Sequence, residues 1–382
     1  MTVETNTRFD LIVVGAGIVG LGAAYAAHEA GLKVLVIDKA HTINGSSVRN
    51  FGHIGVTGQS GVAYSHAVES RKRWLHLADR AGFAVAQRGA TLVARSTAEL
   101  DVLQGFSTLD SARRVKILDA AAVRSTTAVR DPTLVGGAHF PLDLQVDPRT
   151  AAPAIAAWLA ASGVSFRWGT TVLGVSSGTV HTASGDWRSE AIVVAVNFDV
   201  DQFFPQLAAS SGLQRCGLDM MIVAWPDRTA VDAPLLTGSS LLRYSAFAAV
   251  PGIDELRERY RREHPRQAEL DINQMYTQRP DGSLIVGDTH YRGLSISPFQ
   301  DEAAFDTMLE LTRELFGTPD LRVLQRWQGI YATAPGEFLV ETPHPGVCVV
   351  SVTTGIGMTT GLGLAASVIA QLFDTTHRKT LE

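Results

Sequence analysis

The sequence predicts an α/β fold, α+β when the chain is taken whole, in which a nucleotide-binding domain is interleaved with a domain built on an antiparallel sheet. Three observations carry this. Phe9 to Asp38, FDLIVVGAGIVGLGAAYAAHEAGLKVLVID, reads as strand, tight glycine turn, helix, strand; the far end, SVTTGIGMTTGLGLAASVIAQL, again runs a strand into a glycine-rich turn and a helix. The long stretches between them hold strand candidates separated by turn residues and do not continue as β-α units. The expected nucleotide domain takes residues 1–70, 145–200 and 335–382, and the sheet-rich domain takes 71–144 and 201–334.

In the first motif, Leu11 to Val14 form the apolar run of a strand buried on both faces, and Gly15, Gly17 and Gly20 follow at G-x-G-x-x-G spacing. The first glycine permits the turn, the second lets a pyrophosphate approach the backbone, and the third lets helix lie close on strand. Free N–H groups at the helix start, those of Ile18 and Val19 among them, would face the phosphates. Gly31 closes the helix, Val34 to Ile37 form a second strand, and Asp38 at its end is placed to accept hydrogen bonds from ribose hydroxyls.

The polar, glycine-spotted stretch after Asp38, HTINGSSVRNFGHIGVTGQSG, is expected to be an ordered loop lining a ligand. A helix is predicted over Ser65 to Arg80, strands near Phe83 to Gln87 and Thr91 to Ala94, and a helix near Ala98 to Leu109. Asp147-Pro148 starts a helix that Gly163 stops. Strands near Val164 to Trp168, Thr171 to Val175 and Ile192 to Val196, with a turn at Ser184-Gly185, return the chain to the nucleotide sheet. Further strands are predicted at Met220 to Trp225, Leu241 to Val250, Gln274 to Gln278, Ser283 to Gly287 and Val323 to Tyr331, with helices near Asp254 to Glu263 and Asp301 to Leu315. The final strand, Val347 to Val352, follows a His344-Pro345-Gly346 turn.

The chain of 382 residues is 46% hydrophobic and 19% charged, which describes a globular protein with a sizeable core. Its net charge of -5 gives no reason to expect nucleic acid as a partner. Cys216 and Cys348 form no C-x-x-C pair and the histidines lack metal-ligand spacing, so no metal site is expected. The first ten residues lack the basic start and apolar core of a signal peptide, and no segment reads as a membrane span; the expectation is a reduced, cytoplasmic protein with no membrane partner. Gly58-Gln59-Ser60-Gly61 lacks the last glycine of a hydrolase elbow, and no Walker-type phosphate loop is present. Nothing in the sequence sets the oligomeric state.

A nicotinamide dehydrogenase needs one glycine turn. Here a second helix N-terminus, Gly355-Ile356-Gly357-Met358-Thr359-Thr360, offers backbone donors suited to the N1 and O2 edge of a flavin, where negative charge gathers on reduction. DLIVVGAGIVGLGAAY at Asp10 to Tyr25, the terminal GIGMTTGLG, VDPR at Val146 to Arg149 and RWQGIY at Arg326 to Tyr331 resemble, over nearly the whole chain, the FAD-dependent D-amino-acid, glycine and sarcosine oxidase superfamily. SSVRNFGHIG at Ser46 to Gly55 with GDTH at Gly287 to His290 is similar to a narrower bacterial branch associated with aminophosphonate breakdown.

The resemblance implies a Rossmann-like FAD domain and a substrate domain whose antiparallel sheet covers one flavin face. It implies that Gly15, Gly17 and Gly20 bind pyrophosphate, Asp38 the ribose with Lys39 beside it, and that Ser46, Ser47, Arg49 and Asn50 touch the pyrophosphate or ring. Val172 would meet adenine through its backbone, and Gly355 to Thr360 would hold the pyrimidine edge. Several amino-acid-oxidising relatives carry a carboxylate-clamping arginine after a W-x-G-x pattern, where this chain has Tyr331. Neither cysteine falls in the Trp327 to Thr333 stretch where some relatives link the flavin, so FAD is expected to be non-covalent.

Arg49, Arg243 and Arg279 are candidates for a substrate anion, since guanidinium matches phosphonate and carboxylate oxygens. The implied reaction moves hydride from the carbon beside an amine nitrogen to flavin N5, giving an imine that water converts to an aldehyde or keto product, with molecular oxygen as acceptor. His53 and His290 are candidates for tuning or positioning; Tyr244, Tyr276, Trp327 and Tyr331 are candidate walls around the amine. The expected substrate is a small anionic amine, an aminophosphonate before a plain amino acid. A glycine, sarcosine or D-amino-acid oxidase, a nicotinamide dehydrogenase and a non-catalytic flavin-binding subunit are the alternatives.

Overall fold

The structure, a computed structural model, describes residues 8–109, 111–226 and 231–379. Met1 to Thr7, and with them most of the segment read for a signal peptide, lie outside the described residues. Among the described residues, sixteen strands join in one large sheet. Its parallel part runs Ser165–Arg167, Val34–Ile37, Arg8–Val14, Gly185–Val194 and Val347–Thr354. Because strand side chains alternate, Leu11 and Val13 enter the core under the first helix, while Ile12 and Val14 enter the core on the opposite face. The chain leaves Arg8–Val14 toward one neighbour and returns to pair on its other side, which opens a crevice at the carboxyl ends of these strands.

The helices Ile18–Glu29 and Gly357–Lys379 pack side by side on one face of the parallel strands. A Cβ on Gly22 would sit 3.1 Å from Ala365 and Leu362 side-chain atoms, and one on Gly361 would sit 3.2 Å from Val19. The Gly61–Ala81 helix lies against the Gly357–Lys379 helix, with Ser70 Oγ accepting from the Gly363 N–H at 2.8 Å and Trp74 Nε1 donating to the Met358 carbonyl at 2.8 Å. The capping aspartate expected before Pro148 is in place: Asp147 accepts from the Arg149 N–H, and the helix spans Pro148–Ala161.

One strand of 22 residues, Val323–His344, joins the two kinds of sheet. Its first half pairs antiparallel with Gln214–Val223, and its second half pairs with Val347–Thr354 across two irregularities in register. Beyond Gln214–Val223 the sheet continues through Leu284–Gly287, Met275–Gln278, Leu235–Leu236, Ala90–Ala94, Gly136–Phe140 and Lys116–Asp119. The strand expected over Leu241 to Val250 is instead a helical turn, Gly238–Leu241, and a short 3-10 turn, Ser245–Phe247. The hydroxyls before it are the reason. Thr237 Oγ1 donates to the Gln274 carbonyl, Ser239 Oγ accepts from the Gln274 N–H and Ser240 Oγ donates to Asn273 Oδ1, so this segment is tied to its neighbour through side chains and not through a ladder. Among the described residues, no helix is long and apolar enough to cross a membrane.

A methyl group on Gly363 would run into the His66 carbonyl. Gly363→Ala is therefore expected to destabilise the fold by about 1–3 kcal/mol, whereas Gly45→Ala, with open space around it, should stay within about 0.5 kcal/mol; denaturant unfolding of both variants checks this.

Candidate active site

Two cavities of about 310 and 320 Å³ share Gly17, Ser46, Ser47, Arg49, Asn197 and Ile330 in their walls and form one continuous cleft in the crevice. One end is built by the first glycine turn. Gly15 holds a φ of +102° with its Cα against the Ala195 carbonyl, a position closed to any Cβ, and Gly20 sits beneath the turn against the Gly15 carbonyl. Gly15, Gly17, Asp38, Lys39 and Val172 line this end. Asp38 accepts the Ala16 N–H at 2.7 Å and the Ala40 N–H at 2.8 Å, which orients its carboxylate, and Lys39 pairs with Asp199 at 2.6 Å. Ser47 Oγ accepts from the Ile18 N–H at 2.8 Å, and Asn50 folds the following loop by donating to the Ser46 carbonyl and accepting from the Gly52 N–H.

The other end is lined by Ile18, Val19, Asn50 and His53 from the front of the chain, Gly355, Ile356, Gly357, Met358 and Thr359 from the back, and Arg243, Tyr244, His290 and Tyr331 from the antiparallel part. Thr359 Oγ1 accepts from the Gly55 N–H at 3.0 Å, so the back turn and the front loop brace each other. Thr360 turns inward, donating to the Ile356 carbonyl at 2.9 Å, and lies outside the lining. His53 Nε2 lies 2.9 Å from Asp143, whose other oxygen accepts the Thr57 N–H at 2.8 Å.

Three of the expected substrate-side residues are elsewhere. Tyr276 is fully buried, its hydroxyl held by Gln274 and Thr312 and its ring against Phe316; strand alternation gives the cavity to Met275 and turns Tyr276 to the opposite face. Arg279 is held at its own hairpin turn by Asp281 at 2.7 Å and Asp147 at 3.3 Å. Trp327 is covered by the Arg149 guanidinium at 4.9 Å and donates to the Arg49 carbonyl at 3.4 Å, so it supports the loop that carries Arg49.

A cluster of ionisable groups closes the cleft. Arg243 Nη2 donates to Tyr331 Oη at 3.4 Å and Nη1 lies 3.4 Å from Asp271, which Arg292 also holds at 2.7 Å. Burial works against the charge on Arg243, but Tyr331, Asp271 and Asp288 outweigh it and raise its pKa. His290 Nδ1 faces the Asp271 carbonyl at 2.8 Å, so that nitrogen carries the proton. Burial and then Arg243 hold His290 well below its usual value, and the ring is neutral at pH 7. Burial raises the Asp288 carboxyl to about 7, with Arg243 pulling it down and Asp271 pushing it up. Burial pushes Tyr244 up to about 12 and raises Tyr331 well above the phenol range, so both hydroxyls keep their protons.

A family model described as FAD dependent oxidoreductase (DAO) matches residues 10–372. The chain belongs to the DAO family of FAD-dependent oxidoreductases. Among solved structures, glycine oxidase from Geobacillus kaustophilus is similar with a TM-score of 0.78 at 18% identity, covering 96% of this chain and 95% of that one. L-proline dehydrogenase from P. horikoshii is similar with a TM-score of 0.79 at 16% identity, covering 96% and 94%. At these identities the likeness is one of fold. D-amino acid dehydrogenase from Helicobacter pylori is 49% identical over 45 residues, so the match spans 12% of this chain and only 11% of that curated relative.

FAD is thus the redox group of this DAO-family enzyme, and the residues present fit it. Ser351 Oγ and Thr354 Oγ1 belong to the lining at the ring end and are buried with no hydrogen-bond partner, as groups awaiting a polar ligand would be. The first turns of the Ile18–Glu29 and Gly357–Lys379 helices both open on the cleft with N–H groups that have no carbonyl one turn earlier. Sequence reasoning missed Asn197, Asn273 and Asp288. Asn197 adopts a φ of +59° and its Oδ1 accepts the Ala332 N–H at 2.8 Å, a role readable only as an asparagine just past a strand end. Asp288 lies in the GDTH stretch two residues before His290, with no sequence signal that its side chain would be buried.

Because Arg243 lowers the Asp288 pKa, Arg243→Met should shift the carboxyl titration above pH 7. The protonated C=O stretch in pH-difference infrared spectra, absent from Asp288→Asn, reads the shift.

Proposed function

We propose that this enzyme oxidises the C–N bond of a small primary or secondary amine carrying an anionic group, an aminophosphonate such as 2-aminoethylphosphonate with or without an N-methyl group, in preference to a plain amino acid. The observation that carries the proposal is the state of Arg243. Its side chain is 20% exposed, its two close contacts are both 3.4 Å long, and Asp271, the carboxylate at that distance, is shared with Arg292. A guanidinium at the end of a cleft whose close contacts are all long is suited to a tetrahedral or planar anion. A second hollow of about 640 Å³ meets the cleft at Arg243, His290, Tyr331 and Thr354; its walls carry Arg243, Arg257, Arg261 and Arg292 against Glu269 and Asp271. Such a funnel of positive sign favours the approach of anions.

On this reading the FAD pyrophosphate rests on Gly15 and Gly17, with Ile18 and Val19 at the helix start and Ser46, Ser47, Arg49 and Asn50 around it. Asp38 takes the ribose, with Lys39 beside it, Val172 the adenine and Gly355 to Thr359 the pyrimidine edge. The FAD-binding work falls to residues 1–70, 145–200 and 335–382. Non-covalent attachment is supported by the burial of Cys216 and Cys348, neither of which is part of the cleft lining. When bound, FAD supplies a two-electron acceptor for hydride from the carbon beside the nitrogen; the imine product hydrolyses to an aldehyde, releasing ammonia or methylamine, and oxygen is the proposed final acceptor. Arg243 and Tyr331 hold the anion, Tyr244 and Met275 wall the carbon chain, neutral His290 orients the amine end, and the His53–Asp143 pair fixes the front loop.

The 45-residue match to D-amino acid dehydrogenase favours plain amino-acid oxidation as the second reading. Peroxide release, or anaerobic bleaching of the flavin if the acceptor is not oxygen, across N-methylated and unmethylated 2-aminoethylphosphonate, glycine, sarcosine and D-amino acids decides between them. Activity confined to glycine and D-amino acids overturns the proposal. With the aminophosphonate, Arg243→Met should raise KM about 10- to 100-fold, the scale of charge-assisted hydrogen bonds. Separately, kcat/KM should fall as ionic strength rises for an anionic amine and hold constant for a neutral one.

A further inference from the structure

We infer that Asp288 binds the ammonium end of the substrate and removes its proton, a catalytic role that rests on the amine reading above. Asp288 follows directly on the Leu284–Gly287 strand, and its main chain is fixed by two hydrogen bonds with Asn273, N–H to carbonyl in each direction at 2.9 Å. That leaves the side chain without a structural duty. The residue is 5% exposed and lines the cleft, yet Oδ1 has no hydrogen-bond partner and Oδ2 lies 3.7 Å from His290 Nε2.

His290 cannot satisfy the ionised carboxylate. With the proton on Nδ1, Nε2 turns a lone pair toward the carboxylate. The other groups around Asp288 are Arg243, Asp271, Tyr244, Tyr331 and Cys216. Arg243 places its close contacts on Tyr331 and Asp271. A buried carboxylate oxygen without a donor, as Oδ1 is, is held at a cost, which a ligand bringing both positive charge and N–H donors removes.

A protonated amine is that ligand. Arg243 and Asp288, which line one cavity, would take the anionic and the ammonium end of a zwitterion. Hydride leaves carbon readily only when the neighbouring nitrogen has a free lone pair, so the ammonium must first lose a proton. In the proposed step the N–H bond breaks, an O–H bond forms on the Asp288 carboxylate, and the electron pair stays on nitrogen. The charges of ammonium and carboxylate cancel, leaving a neutral amine beside a neutral acid. A carboxyl raised by burial to about 7 is better matched to this transfer than an ordinary one.

The test uses the FAD-loaded enzyme and ligand pairs that differ only in nitrogen: 2-aminoethylphosphonate against ethylphosphonate, and glycine against acetate. Anaerobic stopped-flow reduction gives the amine's Kd and limiting rate across pH, and perturbation of the flavin spectrum gives the Kd of the nitrogen-free partner. In the unaltered enzyme the limiting rate divided by Kd, which reports the free enzyme's carboxyl, should climb with an ascending limb near pH 7. Asp288→Asn should lose that limb and slow reduction about 100-fold or more, with the Kd of the nitrogen-free ligand unchanged, and Asp288→Glu should recover part of the limb. Retention of the limb in Asp288→Asn, or equal weakening of both members of a pair, overturns the inference and leaves Asp288 a structural residue. If the glycine pair responds and the phosphonate pair does not, the substrate class fails while the role of Asp288 stands. If no amine reduces the flavin, the amine reading fails and the role of Asp288 falls with it.

Discussion

The helices Ile18–Glu29 and Gly357–Lys379 lie side by side with Gly22 and Gly361 at the contact, where a Cβ would press on Ala365 and Leu362 or on Val19, and Gly363 lets the second of them press on the backbone at His66. Both helices start from strands of the same parallel sheet, so this contact brings two helix N-termini to one crevice from opposite ends of the chain. Each terminus carries a partial positive charge, and at the first the Ile18 N–H is capped by Ser47 Oγ. A cofactor with a diphosphate at one end and a ring that gains negative charge at the other is complementary to that pair.

The Val323–His344 strand extends the same logic to the substrate side. By pairing with the parallel strands through one half and the antiparallel strands through the other, it holds Gly329, Ile330 and Tyr331 at the boundary where the cleft passes from one part of the sheet to the other. Gly329 lies too close to the Arg49 carbonyl for a larger residue, at 2.9 Å from where its Cβ would be, so the strand and the front loop are locked together. Asp288 and His290 are buried beside Tyr331, where burial, more than any single charge, sets their protonation states.

Much of the frame was legible in the sequence. Val34–Ile37 has the bounds read from its apolar run, the Pro148–Ala161 helix begins where its aspartate cap indicated, and the two glycine turns were recognisable because a strand runs into each and a helix follows. The segment at Leu241 to Val250 was not, since its apolar spacing suits a strand as well as two short turns, and the hydroxyls that decide the matter act on Asn273 and Gln274, more than twenty residues away.

Local chemistry thus determined the nucleotide cradle and the order of the main elements, because periodicity, caps and glycine turns act within a few residues of themselves. Tertiary structure decided which polar groups meet. Strand alternation turned Tyr276 away and Met275 inward, the hairpin aspartate Asp281 claimed Arg279, and Arg149 covered Trp327. Asp288 acquired its surroundings only when Arg243 and Asp271 converged on it from separate segments of the chain. Solvent exclusion and the identity of one's neighbours belong to the folded state, and no local pattern encodes them.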